Sequence, residues 1–191
     1  MTSARRLDGY TLEDWERLEP VEGHRVELVE GRFVVSAAPA VTHQRIADRL
    51  CRLLDDVVAD GGMEAVTAVG VRIAPGLGYI PDVVVCTELV ETTTVDVELV
   101  ALAIEVVSPS TARRDRLEKP AAFAAAGVPA FWRVEIGREG GPIIYCYRLD
   151  QGVYAEVSTL QAGTRGTVDV PGGRTVTLDP ADLIGSRRPR P

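Results

Sequence analysis

The spacing of apolar positions divides this chain into amphipathic segments and uninterrupted apolar runs, and the two have different structural meanings. Between Thr42 and Asp60, Ile46, Leu50, Leu53, Leu54, Val57 and Val58 recur at helical spacing. A long amphipathic helix is predicted there, stopped by Gly61-Gly62. A shorter helix is predicted from Thr11 to Leu18: Thr11 is a good N-cap, Glu13 and Asp14 suit a first turn, Leu12, Trp15 and Leu18 share one face, and Pro20 ends it. His24 to Val29 and Gly31 to Ser36 are rich in β-branched residues on either side of Glu30-Gly31, which predicts a hairpin.

Beyond Gly62 the pattern turns to strands at Ala65–Ile73, Tyr79–Cys86 and Val100–Val107. A Pro75-Gly76-Leu77-Gly78 turn and an acidic loop over residues 88–98 separate them. The last two strands are continuous apolar runs, as expected where both faces of a sheet are covered. A helix is predicted from Ala112 to Ala126, ended by Gly127. Strands Phe131–Ile136, Ile143–Leu149 and Tyr154–Leu160 follow, the last two flanking Asp150-Gln151-Gly152. This order predicts a mixed sheet flanked by helices, of the α/β or mixed α+β class, in one domain over residues 1–184. The stretch from Gly185, with Arg187, Arg188 and Arg190, is expected to be a disordered basic tail.

Two acids interrupt the apolar runs. Asp82 lies in Tyr79-Ile80-Pro81-Asp82-Val83-Val84-Val85, and Glu105 in Leu102-Ala103-Ile104-Glu105-Val106-Val107. A buried carboxylate must be paired, protonated or bound to a cation, because an isolated buried charge costs several kcal/mol or more. Magnesium takes hard oxygen ligands, and two carboxylates with a backbone carbonyl beside Glu105 provide that chemistry. The plainer alternatives are an Asp82 that bonds local amides in a Pro-Asp turn and a Glu105 paired with Arg133 or another cation.

Lys119 lies in Asp115-Arg116-Leu117-Glu118-Lys119-Pro120, within the helix expected to pack on this sheet. It is a candidate for orienting an attacking water, and equally an exposed partner of Asp115 one turn earlier. Pro120 places it at a helix start or kink. Arg113, Arg114 and Arg116 form a local basic cluster and Ser108, Ser110 and Thr111 add hydroxyls, all candidate phosphate contacts. His43 and His24 are expected to be structural and surface residues, respectively.

Bulk properties narrow the function further. With 191 residues, 46% of them hydrophobic, and a net charge of −7, the chain does not hold nucleic acid by overall electrostatics, so any such site is local. Three scattered cysteines, Cys51, Cys86 and Cys146, disfavour a disulfide framework or thiolate zinc site, and two histidines exclude a several-histidine zinc centre. No nucleotide-binding Gly-rich loop with Lys-Ser/Thr and no glycine-flanked serine elbow occurs. No apolar h-region opens the sequence and no stretch spans a bilayer, so a cytoplasmic location without membrane association is expected.

Taken together, Pro81-Asp82, Glu105-Val-Val-Ser-Pro-Ser-Thr111, Asp115-x-x-x-Lys119 and Ala126-Gly127-Val128-Pro129-x-Phe131-Trp132 resemble the Uma-two family of restriction endonucleases, a branch of the PD-(D/E)xK nuclease superfamily. Arg25-Val26-Glu27-Leu28-Val29-Glu30-Gly31 and His43-x-x-Ile46 extend the resemblance over nearly the whole chain. It implies a four-stranded mixed central sheet with flanking helices and phosphodiester hydrolysis. The expected Mg2+ or Mn2+ ligands are Asp82, Glu105 and the Val106 carbonyl. Val107 stands where many superfamily members carry lysine, which points to Lys119 as the displaced equivalent; Glu27 is a candidate for the outer shell of the site, the alternative being a polar strand residue that faces solvent. DNA is the expected substrate, with RNA open, and a twofold homodimer suits cleavage of both strands of a duplex. The competing reading is a nuclease fold retained as a non-catalytic binding or regulatory module.

Overall fold

A computed structural model describes residues 9–137 and 141–185. Helix α1 (Leu12–Glu16) begins with a reciprocal cap in which Thr11 and Asp14 satisfy each other's amides. Strands β1 (His24–Val29) and β2 (Arg32–Ala37) form the predicted antiparallel hairpin. Glu30 and Gly31 both have positive φ, the requirement of a tight two-residue turn whose twist matches the strands. Helix α2 (Val41–Val58) buries Ile46, Leu50, Leu54 and Val58 along one face, and each such side chain contributes about 1.5–3 kcal/mol by leaving water.

Two expected strands are each broken. Ala65–Ile73 divides at Ala68, which takes φ 54°, into β3 (Glu64–Thr67) and β4 (Gly70–Ala74). The run Tyr79–Cys86 divides at Pro81-Asp82: Tyr79 closes β5 (Leu77–Tyr79), and β6 is Val83–Cys86. Proline has no N–H for a sheet ladder, and the chain passes from one sheet to another at this point. The acidic loop contains a short strand, β7 (Thr94–Asp96), and a 3-10 turn over Val97–Leu99.

After β8 (Val100–Val106), a π-helical turn over Arg114–Glu118 leads into α3 (Lys119–Ala125) and β9 (Ala130–Ile136). Next come β10 (Pro142–Asp150) and β11 (Val153–Gln161), each longer than predicted. The hairpin β12 (Gly166–Val170) and β13 (Arg174–Leu178) and helix α4 (Pro180–Ile184) were not anticipated. The basic stretch beyond Gly185 lies outside the described residues.

The larger sheet has the order β11-β10-β9-β8-β6-β3, with only β8 and β9 parallel, joined through α3. It is mixed, as expected, but six-stranded rather than four-stranded. The second sheet runs β2-β1-β5-β4-β7. Apolar side chains cover both faces of the larger sheet: Leu102, Ile104, Val106, Val83 and Val85 meet α2, while Ala103, Val84 and Cys86 meet Phe123 and Phe131. Buried on both faces, β8 lacks polar alternation, and Glu105 is the exception.

Candidate active site

Strand register brings the two acids together. Strands β6 and β8 run antiparallel with Val83 opposite Ile104 and Val84 opposite Ala103. One further step along that register sets Asp82 opposite Glu105, and side-chain alternation puts both on the Ala103 and Val84 face, away from α2. The backbone confirms the step: the Asp82 N–H donates to the Ile104 carbonyl at 3.1 Å, and the Val106 N–H donates to Asp82 Oδ2 at 2.8 Å. Both acids line one cavity of about 240 Å³.

Lys119 reaches the same cavity because of the turn before it. Its N–H donates to the Arg114 carbonyl five residues back, the wider π-helical spacing, and Pro120 follows in the first turn of α3. The side chain is only 3% exposed, so it is not the solvated partner that the Asp115 spacing alone allowed. Its Nζ lies 2.8 Å from Glu105 Oε1, 3.0 Å from Glu27 Oε1 and 3.7 Å from Asp115 Oδ1, and 5.5 Å from the centre of the Tyr79 ring. Burial works against its charge, but Glu105, Glu27 and Asp115 outweigh it and hold the ammonium well above its usual range.

Strand β1 supplies the fourth side of the cluster. Arg25 and Glu27, two apart, share one face of the strand. The Arg25 guanidinium donates to Asp82 Oδ1 at 2.8 Å and to the Ile80 carbonyl at 3.1 Å. Glu27, 2% exposed, accepts the Ile80 N–H at 3.0 Å and pairs with Arg114 at 3.2 Å as well as with Lys119. From the first turn of α2, His43 Nε2 approaches Asp82 Oδ2 to 3.2 Å, while its Nδ1 has no hydrogen-bond partner.

The carboxyls titrate apart. Burial raises Asp82, but the His43 hydrogen bond and the charges of Arg25 and Lys119 outweigh it, so Asp82 sits below the usual carboxylate range. Glu105 is 1% exposed, and burial, reinforced by Asp82, Asp115 and Glu27, pushes it well above that range despite Lys119. The one cation beside its Oε1 is the Lys119 ammonium at 2.8 Å. Burial likewise raises Asp115, against Lys119 and a short hydrogen bond from Thr111 Oγ1.

Not every expected residue joins the cluster. Arg114 does so through Glu27, whereas Arg116 makes a two-pronged pair with Glu135 and exposed Arg113 pairs with Glu118. Thus all three arginines are engaged by acids. Ser108 lines the cavity and shares hydrogen bonds with Ser110 and Thr111. Val106 contributes its amide to Asp82, and it is not among the cavity-lining residues. Arg133, the residue beside Glu105 on β9, lies against the Tyr145 and Tyr147 rings and contacts Glu135, so Glu105 takes Lys119 as its cation.

Arg25, His43 and Asp115 stood in the family-like motifs but were not assigned to the site, His43 being expected as a structural residue and Asp115 as an exposed partner of Lys119. The signal for Arg25 was its two-residue spacing from Glu27, and for Asp115 its four-residue spacing from Lys119. His43 was marked by its place at a helix start in His43-x-x-Ile46, but its contact with a residue 39 positions later was not legible.

A divalent cation fits this donor set. Four carboxylates, Glu27, Asp82, Glu105 and Asp115, line the cavity together with Arg25, Lys119 and His43, and Arg114 offsets part of Glu27 from outside its lining. Burial favours the protonated form of Glu105, and a divalent ion would take the place of that proton. Among the described residues no group of three or more His, Cys, Asp or Glu is placed to hold a metal ion, so an ion here would take one or two carboxylates and complete its shell with water and substrate oxygens.

The mixed sheet with flanking helices and a buried acidic cluster at the β6 start define a nuclease-like α+β protein. A family model described as "Putative restriction endonuclease", Uma2, matches residues 12–179, and the chain belongs to that family. The fold is similar to a crystal structure described as a "putative nuclease belonging to DUF820" from Anabaena variabilis ATCC 29413. That match has a TM-score of 0.66 at 18% identity, covering 91% of this chain and 97% of the other. No curated protein matches the chain. No described helix is long and apolar enough to cross a membrane.

Proposed function

We propose that the protein is a divalent-metal-dependent nuclease that hydrolyses phosphodiester bonds in DNA, with Asp82 and Glu105 as the protein ligands of Mg2+ or Mn2+. The observation that carries this reading is Glu105: a buried carboxyl set opposite Asp82 in a cavity lined by four carboxylates. A bound ion of this kind lowers the pKa of a water and offsets charge on the scissile phosphate. Asp82, already below the ordinary carboxylate range, is ionised and ready to ligate at neutral pH. Arg25 and the Val106 amide hold it in one orientation.

Lys119 keeps its proton and serves as a fixed donor to the attacking water or to a non-bridging phosphate oxygen, anchored by Glu27 and Asp115. Ser108, Ser110 and Thr111 line the same cavity and offer hydroxyl donors to phosphate. Supercoiled plasmid and single-stranded circular DNA incubated with Mg2+ or Mn2+ test the reading, alongside Asp82→Asn and Glu105→Gln. Cutting of either DNA by the unchanged protein, lost in both variants, is expected. Cutting that survives both substitutions overturns the assignment. A metal-induced rise in Tm that both variants abolish, without cutting, favours the alternative of a nuclease fold retained for binding, for which the ionic lock of Lys119 on Glu105 is the supporting observation.

A further inference from the structure

A second groove, of about 590 Å³, adjoins the acidic cavity, and Arg25, Ala38 and Pro39 line both. Its walls are mainly apolar. Leu18 and Val21, two of the large apolar side chains most exposed near α1, form one side, at 39% and 50% exposure. Trp15 lines it too, and its ring is rigidly set. The indole N–H donates to the Val26 carbonyl at 2.7 Å, and the ring packs on bare backbone at Gly78 and Gly70, where a Cβ would come within 2.3 and 2.9 Å of it.

We infer that this groove is a subsite for an unpaired nucleobase, and that the strand cut in the neighbouring cavity is single-stranded. The inference rests on the proposed nuclease reading and specifies its substrate. Continuity with the acidic cavity decides the occupant: a strand whose phosphate enters between Asp82 and Lys119 has its adjoining nucleotide beside Arg25 and Pro39, at the head of the groove. Glu19 in its lining disfavours phosphate, while Glu16 is paired with Arg72, and the apolar walls favour the uncharged base as the part that enters.

Access to the acids points the same way. Asp82 and Glu105 are only 3% and 1% exposed where they line the cavity. Duplex DNA is a stiff rod with its phosphates on a convex surface, and proteins that hold it do so mainly through free basic side chains. Here Arg113, Arg114 and Arg116 are each tied to a glutamate, and the chain carries a net charge of −7. A flexible strand can turn a phosphate inward, and base contacts with apolar and aromatic surfaces replace the missing charge. A single cut also removes the need for a twofold arrangement of two sites.

The test uses the full chain with a single-stranded 12-mer and the corresponding duplex in Ca2+. Binding is followed by anisotropy of the labelled DNA and by tryptophan fluorescence. The chain has two tryptophans; Trp15, itself only 7% exposed, lines the groove and Trp132 does not, so quenching reports Trp15. The single strand is expected to bind at least about tenfold more tightly than the duplex and to quench the emission. Leu18→Ser with Val21→Ser, both at exposed positions, is expected to weaken single-strand binding by about tenfold or more. Hydrolysis of bis(4-nitrophenyl) phosphate with Mn2+, a diester that carries no nucleobase, should stay unchanged in that variant.

Equal or tighter duplex binding, absence of quenching, or a double variant that binds like the parent overturns the inference. Loss of bis(4-nitrophenyl) phosphate hydrolysis in the unmodified chain, with single-strand preference and quenching intact, overturns the nuclease reading alone and leaves the base subsite standing.

Discussion

Asp82 Oδ2 accepts the backbone amide of Val106 at 2.8 Å, and the Asp82 amide donates to Ile104, so one aspartate holds the residues on both sides of Glu105. The acid is therefore a structural clamp on β8 as well as a candidate ligand. Asp82→Ala strands a buried amide and leaves Arg25 without its carboxylate, and it is expected to destabilise the protein by about 3–5 kcal/mol. Asp82→Asn keeps the shape and one acceptor and should cost less. Urea denaturation of the two variants checks the order, and an Asp82→Ala as stable as the parent rules out the clamp.

Lys119 is the only cation within 4 Å of the Glu105 carboxylate among the described residues. Lys119→Met leaves Glu105 and part of Glu27 uncompensated in the interior, at an expected cost of about 3–5 kcal/mol. Adding Glu105→Gln removes the orphaned charge, so the double variant should recover much of that loss. A double-mutant cycle by chemical denaturation measures the coupling, and additive effects would show that the pair does not interact.

The raised Glu105 carboxyl has two pH consequences. In the folded chain it keeps its proton above the range in which the unfolded chain releases it, so more protons are bound in the native state and stability falls as pH rises from the ordinary glutamate range toward the folded pKa. Glu105→Gln should flatten that fall in Tm measured without metal. Metal binding requires the carboxylate, so affinity for Mn2+ should rise with pH across the same window, with proton release on binding. Calorimetry in buffers of different ionisation enthalpy counts the proton; an affinity that falls with pH contradicts the assignment.

Gly78 lies in β5 against Trp15, and a Cβ there would stand 2.3 Å from the ring. The ring is held by its bond to Val26 and has no room to yield, so Gly78→Ala should cost about 1–3 kcal/mol, as overpacking does. The same variant should shift the tryptophan emission. A Tm within error of the parent would show that Trp15 is free to move.

Local pattern carried much of the fold. The α2 helix, the β1–β2 hairpin with its Glu30-Gly31 turn, and the apolar β8 strand were legible because each depends on spacing within a few residues. The break at Ala68 was not, since an alanine with positive φ has no sequence signature and is imposed by strands departing to different sheets. Hairpin β12–β13 was missed because its alternation in Gly166–Val170 is short and flanked by glycines, and only packing of Val168, Val170 and Val176 on the α2 side makes it a strand pair.

The candidate site divides along the same line. The sequence by itself determined that two acids stand in apolar runs, that a hairpin carries Arg25 and Glu27 two residues apart, and that a lysine precedes a proline. Tertiary structure alone decided that β6 and β8 pair in the register that sets Asp82 opposite Glu105, that Lys119 turns inward, and that Arg25 and His43 close on Asp82. The reason is physical: alternation fixes which face of its own strand a side chain takes, whereas the partner across the sheet depends on a register that one residue of slip would reverse.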